Sequence, residues 1–224
     1  MRINIGMAVL AASLAAASNA AAQNCELERL HIRSSGDGVS ADFSSVDTST
    51  CALGIETDVH VEASEGVITT ADLCGRGGNS IKTVTIGQTN VVAILVTVYD
   101  NCLGTLVRTV TGTGEADELH VSNNFKTGSL QAAFDGVDDS NQTVAVAIDL
   151  VWTGVGAKEK TVDHVNNNQG VVRFVSTSSG TIRDAVAVGS ATLDGAEQLQ
   201  SPSTHTAEAV GRAGSVSECT AGGG

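Results

Sequence analysis

Between residues 143 and 153 every second side chain is large and apolar. Val144, Val146, Ile148, Leu150 and Trp152 point one way, while Thr143, Ala145, Ala147, Asp149 and Val151 point the other. Side chains alternate faces only along an extended strand, so an apolar set with period two cannot be buried by a helix. One face is strongly apolar and the other small or mixed, as in one layer of a two-layer sandwich. Beyond the N-terminal stretch the same period, rich in β-branched residues, dominates the chain, and helical spacing is nearly absent.

The run 91–99 is apolar on both faces and is expected as a central strand. Asp100-Asn101-Cys102-Leu103-Gly104 follows, and then the β-rich segment 105–111; turn formers between two such runs predict a hairpin. Further strands are expected near 28–33, 39–43, 55–63, 81–86, 118–122, 129–134, 171–176, 181–191 and 204–211. Polar or Gly-containing segments separate them at intervals of roughly ten residues. The pattern predicts an all-β fold, an antiparallel β-sandwich with a barrel as the alternative, rather than βαβ units. A short helix is expected at 196–200, ending before Pro202. No internal repeat or Pro-rich linker divides the chain, and Gly112–Gly114 is the best candidate seam, although an ordinary loop explains it equally well.

Residues 1–22, MRINIGMAVLAASLAAASNAAA, carry Arg2 as their only charge, followed by an Ala-rich apolar run. Small-residue cleavage sites stand at Ser18-Asn19-Ala20 and Ala20-Ala21-Ala22. This is the build of a secretory signal peptide, too short for a retained membrane helix. A lipid anchor on Cys25 would want a small residue before it, and Asn24 is wrong for that role. No later segment approaches the ~18 consecutive apolar residues of a spanning helix, so no membrane insertion is expected. The expected organisation is a signal peptide at 1–22, one β-rich domain at 23–212 and a flexible tail at 213–224, with the processed protein secreted or periplasmic.

The net charge of −13 becomes −14 once Arg2 leaves with the leader. So acidic a chain, with no basic stripe, repels a phosphate backbone, which argues against nucleic acid as a partner. Aromatic residues make up only 3% of the chain, which leaves little material for stacking on sugars or bases. Five cysteines occur at 25, 51, 74, 102 and 219, with no C-x-x-C pair. In an oxidising compartment the expectation is two disulfides and one unpaired thiol, and the spacing leaves the pairing open. Cys219, in a Gly/Ser/Ala-rich segment, is the best candidate for the odd one, and a free thiol there could join two chains.

Three clusters carry candidate chemistry. Asp58, His60 and Glu62 alternate with Val59 and Val61, so they project from one strand face about 7 Å apart. Imidazole with carboxylates would suit Zn²⁺ or Cu²⁺, while the solvent face of a half-buried strand would look the same. Glu118 with His120 repeats the pattern more weakly, and His31, His164 and His205 are scattered. The loop Asp135-Gly136-Val137-Asp138-Asp139-Ser140-Asn141-Gln142 is the densest set of oxygen donors, and Asp135, Asp138, Asp139 and Asn141 are the candidate calcium ligands. A polar turn explains that loop equally well, since the EF-hand order is missing. Gly75-Arg76-Gly77-Gly78-Asn79-Ser80 has the composition of an anion cradle, yet no helix follows to supply a dipole. No G-x-S-x-G elbow or H-E-x-x-H helix is present.

Cys51, then Thr57-Asp58-Val59, then Tyr99-Asp100-Asn101-Cys102, then Asp149-Leu150-Val151-Trp152-Thr153-Gly154-Val155-Gly156 together resemble a pattern in secreted, β-rich bacterial proteins, over about residues 50–190. The resemblance implies no activity. It does imply a Cys51–Cys102 disulfide and leaves Cys25, Cys74 and Cys219 open. The expectation is therefore an exported, non-catalytic structural, surface-associated or binding protein, able to self-associate. One alternative is an extracellular metal-dependent enzyme or hydrolase using Asp58, His60 and Glu62. Another is an assembly subunit linked by calcium at 135–142 or by Cys219.

Overall fold

The computed structural model describes residues 27–74, 81–169, 172–199, 203–205 and 208–222. Residues 1–22, expected as a signal peptide, and residues 75–80, considered as an anion cradle, lie outside them. The elements are β1 (Leu27–Asp47), β2 (Ile55–Cys74), β3 (Ile81–Asp100), β4 (Thr105–Gly114), β5 (Glu118–Val121), β6 (Thr127–Asp138), β7 (Thr143–Gln169), β8 (Val172–Leu193), β9 (Ala196–Glu197), β10 (Ser203–His205) and β11 (Ala209–Gly222). The described residues contain no helix, and every strand pairing is antiparallel.

Eight strands pair in the order β1–β11–β8–β7–β6–β4–β3–β2 and then back to β1, so the hydrogen bonding returns to its start. Closure is narrowest between β4 and β6, where only Val110, Thr111 and Gly112 face Asp138, Val137 and Gly136. The buried apolar side chains form one core cluster in the interior of this ring. Val39, Val59, Val61, Val92, Val96, Val110, Leu130, Val144, Leu150, Trp152 and Val210 are the largest fully buried side chains. β1 and β7 face each other across this interior, and the Trp152 Nε1–H donates to the Ser40 carbonyl at 2.7 Å. The fold is thus the expected all-β antiparallel one, sandwich-like, with the 143–153 alternation buried as read. Buried Glu208 completes the backbone bonding of β8: its carboxylate accepts the Ala187 N–H at 2.6 Å and its carbonyl the Ala185 N–H at 2.9 Å.

Four local expectations change. The run 91–99 is not covered on both faces: Val92, Ile94 and Val96 are buried, whereas Leu95 and Tyr99 are exposed. A two-layer arrangement has one interior, so only one face of β3 can reach it. Segments read as separate strands join into single long ones, such as 28–33 with 39–43 in β1 and 81–86 with 91–99 in β3. At 196–200 the short β9 pairs with β8 instead of a helix forming, and the Glu197 carboxylate accepts the Ala191 and Leu199 N–H groups. Ala213 to Gly222, expected as tail, continue β11 between β1 and β8.

The apolar interior occupies only part of these strands. Beyond it, six strands run on in the order β3–β2–β1–β11–β8–β7, without β4 and β6 to close the circuit. The change comes where the inward face passes from Val39 to Asp37 and from Ala63 to Glu65. Phe125, buried and held at φ 57° in the β5–β6 turn, marks this boundary, with the Lys158 and Arg212 cations 5.7 and 5.8 Å from its ring centre. Arg212 also makes a two-point ion pair with Asp37, its Nη2 lying 2.7 Å from Oδ2. Ser, Thr and Gly gather in parts of the extension, as at 34–36 and 176–181. Gly36 faces Gly66, and a Cβ on Gly36 would stand 3.2 Å from the Gly66 Cα.

Candidate functional site

On the outer wall of β1, β2 and β3, side chains alternate with the buried ones beneath them. Asp42 and Ser44 alternate with Ala41 and Phe43, Asp58 and His60 with Val59 and Val61, and Leu95 and Thr97 with Ile94 and Val96. Register sets Asp42 opposite His60 opposite Leu95, and Ser44 opposite Asp58 opposite Thr97. The result is a shallow groove of about 350 Å³ lined by Asp42, Ser44, Glu56, Asp58, His60 and Thr97. His60 Nδ1 lies 2.6 Å from Asp42 Oδ1. Ser44 Oγ donates to Glu56 at 3.4 Å, and Asn101 Nδ2 donates to the other oxygen of Glu56 at 3.2 Å.

An aspartate on Nδ1 orients an imidazole and leaves Nε2 as the nitrogen free to accept a proton or bind a metal. The three residues singled out as metal ligands, Asp58, His60 and Glu62, do lie on one face of β2, and His60 gains a partner from β1 that was not foreseen. Alternation alone turns Asp42 outward; only the β1–β2 register brings it to His60. Among the described residues, the one set of three potential ligand atoms within 4.8 Å of one another is Cys51, Asp100 and Cys102. Its two sulfurs are bonded to each other, so they are not thiolate ligands.

That disulfide ties the β1–β2 turn to the β3–β4 turn, with the Cα atoms 6.4 Å apart. Around it the Asn101 N–H donates to the Gly54 carbonyl at 3.1 Å, and the Asp100 carboxylate accepts the Cys102 and Leu103 N–H groups at 2.8 and 2.9 Å. The Cys51–Cys102 bridge matches the resemblance noted in the sequence. Cys219 is free and half-buried within β11, between Leu30 and Phe174 on the neighbouring strands. Cys25 lies outside the described residues.

The oxygen-rich loop 135–142 is the β6–β7 hairpin. Asp135 stands on β6 opposite Ala145, whereas Asp138 opens the turn. The Asp138 carboxylate accepts the Ser140 and Gln142 N–H groups at 3.0 and 2.8 Å, and Asn141 takes the left-handed conformation at φ 63°. Asp139 is exposed, and its N–H donates to the Thr109 carbonyl at 3.0 Å. The turn is thus closed by Asp138 itself, in the manner of an Asx turn. The described histidines remain dispersed: His31 Nε2 lies 2.8 Å from Glu218, His164 Nδ1 lies 3.0 Å from the Thr177 hydroxyl, and His120 is exposed on β5.

The second feature able to carry function is the six-stranded extension. One of its surfaces continues the inward face of the ring, and along it lie Ile86, Thr69, Arg33, Val216, Thr177 and His164 in a single cross-strand row. Ile86 and Val162 on this surface are 67% and 58% exposed, against 0% for Trp152 in the ring. Two of its strands have a neighbour on one side only. β3 pairs with β4 from Val92 onward, and β7 pairs with β6 only as far as Thr153, so their outer stretches form free edges among the described residues.

No family model matches this chain, and neither a curated protein nor a solved structure shows significant similarity to it.

Proposed function

We propose that this is an exported, non-catalytic structural or surface-associated binding protein whose contact surface is the six-stranded extension. The observation that carries the reading is the split along the strands. Burial is concentrated in the ring, while the extension presents two open edges and exposed apolar side chains such as Val84, Ile86, Val162 and Val216. Paired backbone with uncovered edges is a ready template for another chain, and strand addition to an open edge is how many binding proteins meet a partner. The leader and the Cys51–Cys102 bridge support an extracellular or periplasmic location. No helix among the described residues is long and apolar enough to cross a membrane. The outward faces of the ring carry Asp42, Asp58, His60, Glu62 and Asp149 beside exposed Leu95, Val151, Val186 and Val188, a mixed surface instead of a continuous apolar band.

A second reading, an exported metal-dependent enzyme, draws on the Asp42–His60 hydrogen bond inside an acidic groove. One experiment separates the two. Retention of the processed protein on its native cell-envelope fraction is compared for wild type, for Ile86→Lys/Val216→Lys, and for His60→Ala. The extension variant is expected to lose retention several-fold and His60→Ala to keep it. The opposite pattern, or zinc or copper co-purifying with wild type and lost in His60→Ala, would overturn the reading in favour of the groove.

A further inference from the structure

We propose that the extension binds a second copy of this chain, edge to edge and head to tail. The free edge of β7 in one copy pairs with the free edge of β3 in the next. The proposal rests on the reading of the extension as the contact surface and names its partner.

Strand parity makes the two edges complementary. Six antiparallel strands lie between and including the edges, so β3 and β7 run in opposite directions. A copy displaced sideways, without being turned over, therefore presents β3 antiparallel to β7 of its neighbour. Backbone donors and acceptors alternate from row to row and from strand to strand in an antiparallel sheet. With an even number of strands, the rows whose backbone groups point outward on β7 are the same rows that point outward on β3. A sideways displacement thus forms a continuous ladder without a change of register or face.

The cross-strand register fixes which residues would meet. Following each row from β3 through β2, β1, β11 and β8 to β7 sets Val84 level with Asn166, Thr85 with Val165, Ile86 with His164, Gly87 with Asp163, Gln88 with Val162 and Thr89 with Thr161. No carboxylate faces a carboxylate across that seam. Exposed Val84, Ile86 and Val162 share one face of it, with Val162 diagonal to Ile86, within reach for side-chain contact. Beyond Thr89 another segment lies against the strand: the Asn90 side-chain amide donates to the Ala116 carbonyl at 2.9 Å and accepts the Ala116 N–H at 3.1 Å. The charged Glu159 and Lys160 fall level with Val91 and Asn90, on the ring side of that stop.

Residues 84–89 and 161–166 contain no proline and no lysine, and Asp163 is their one carboxylate. The register irregularities of β3 and β7 lie outside them, at Asp72/Leu73 and Gly154/Lys158. A seam of six rows is shorter than a standard interface, so the association is weak and builds with concentration.

The test is a charge swap at Gln88 and Val162, which are both exposed and directly opposed across the seam. Sedimentation of the processed protein is followed from micromolar to millimolar concentration under reducing and non-reducing conditions, with circular dichroism confirming the fold of each variant. Wild type is expected to associate in both conditions and to form filaments in electron micrographs. Q88K/V162K sets lysine against lysine and should weaken association about fivefold or more, while Q88K/V162E should associate at least as well as wild type. Equal loss in both variants would mean like edges pairing with like and would overturn the head-to-tail arrangement. Wild type that stays monomeric throughout would overturn self-pairing altogether. If that monomer still binds the envelope fraction, the contact-surface reading survives; if it does not, both fall.

Discussion

From Val39 to Phe43, β1 turns Val39, Ala41 and Phe43 into the apolar interior. On the same strand and the same face, Arg33, Ser35 and Asp37 stand in the extension beside Thr69, Val67 and Glu65 of β2. The backbone ladder is the same in both halves, and only the side chains change. In the ring the ladder is covered on one face by an opposing layer, and burial supplies about 1.5–3 kcal/mol per large apolar side chain. In the extension it has backbone hydrogen bonds, worth about 1 kcal/mol each on balance, and short side-chain pairs such as Ser34 Oγ–Ser215 Oγ at 2.8 Å and Ser176 Oγ–Ser217 Oγ at 2.8 Å. The difference teaches that strand length here is set by pairing, while global stability is set by the ring.

The comparison breaks most sharply at Trp152. Trp152→Ala removes the largest buried side chain and leaves the Ser40 carbonyl without its donor, so denaturant unfolding should show a loss of about 3–5 kcal/mol. Arg212→Ala, which removes the ion pair to Asp37 at the boundary, should cost at most about 1 kcal/mol. Its effect should appear as faster amide exchange confined to the extension. Exchange that quickens equally in the ring would mean that the two halves unfold as one unit.

Next in size is the covalent tie at the ring end. Cys51→Ala/Cys102→Ala frees two turns that are 51 residues apart in sequence. The expected loss is about 2–4 kcal/mol in the thermal or denaturant transition, with exchange in the extension unchanged. An equally stable variant would show that the backbone bonds around Gly54 and Asn101 hold these turns unaided.

The smallest effect is electrostatic. The Ser49 backbone N–H on the Asp47 carboxylate, 2.8 Å from Oδ1, holds its pKa below the usual value. A depressed carboxylate pKa stabilises the fold above the unfolded value of about 3.9 and loses that contribution as pH falls through the folded one. Asp47→Asn should therefore lower the thermal midpoint slightly near neutrality and narrow its gap from wild type in acid. A constant gap across that range would assign the effect to the turn's shape instead of its charge.

Residues 143–153 show why the inward face could be read from sequence: its period of two is a local property, and burial later honours it. Asp58, His60 and Glu62 were placed on one strand face for the same reason. The Asp42–His60 contact was not legible, because it depends on register between β1 and β2. Strand ends were misread where Ser, Thr and Gly gather, at 34–38 and 87–90 and again in β11. Those residues favour turns when the chain is alone, yet β1, β2 and β11 satisfy one another's backbone there and no reversal occurs. The double apolar run at 91–99 misled in the opposite direction, because Leu95 has no second layer to enter.

Local chemistry, then, determined that this chain is extended, which side chains face inward in its core and that Asp58, His60 and Glu62 share one face of a strand. The tertiary structure alone decided that eight strands close a circuit, that six outrun it, and that two edges are left open on one sheet. The physical reason is range. Alternation is written within a few consecutive residues, whereas register and closure are settled between strands that can lie far apart along the chain, by which backbone groups find partners.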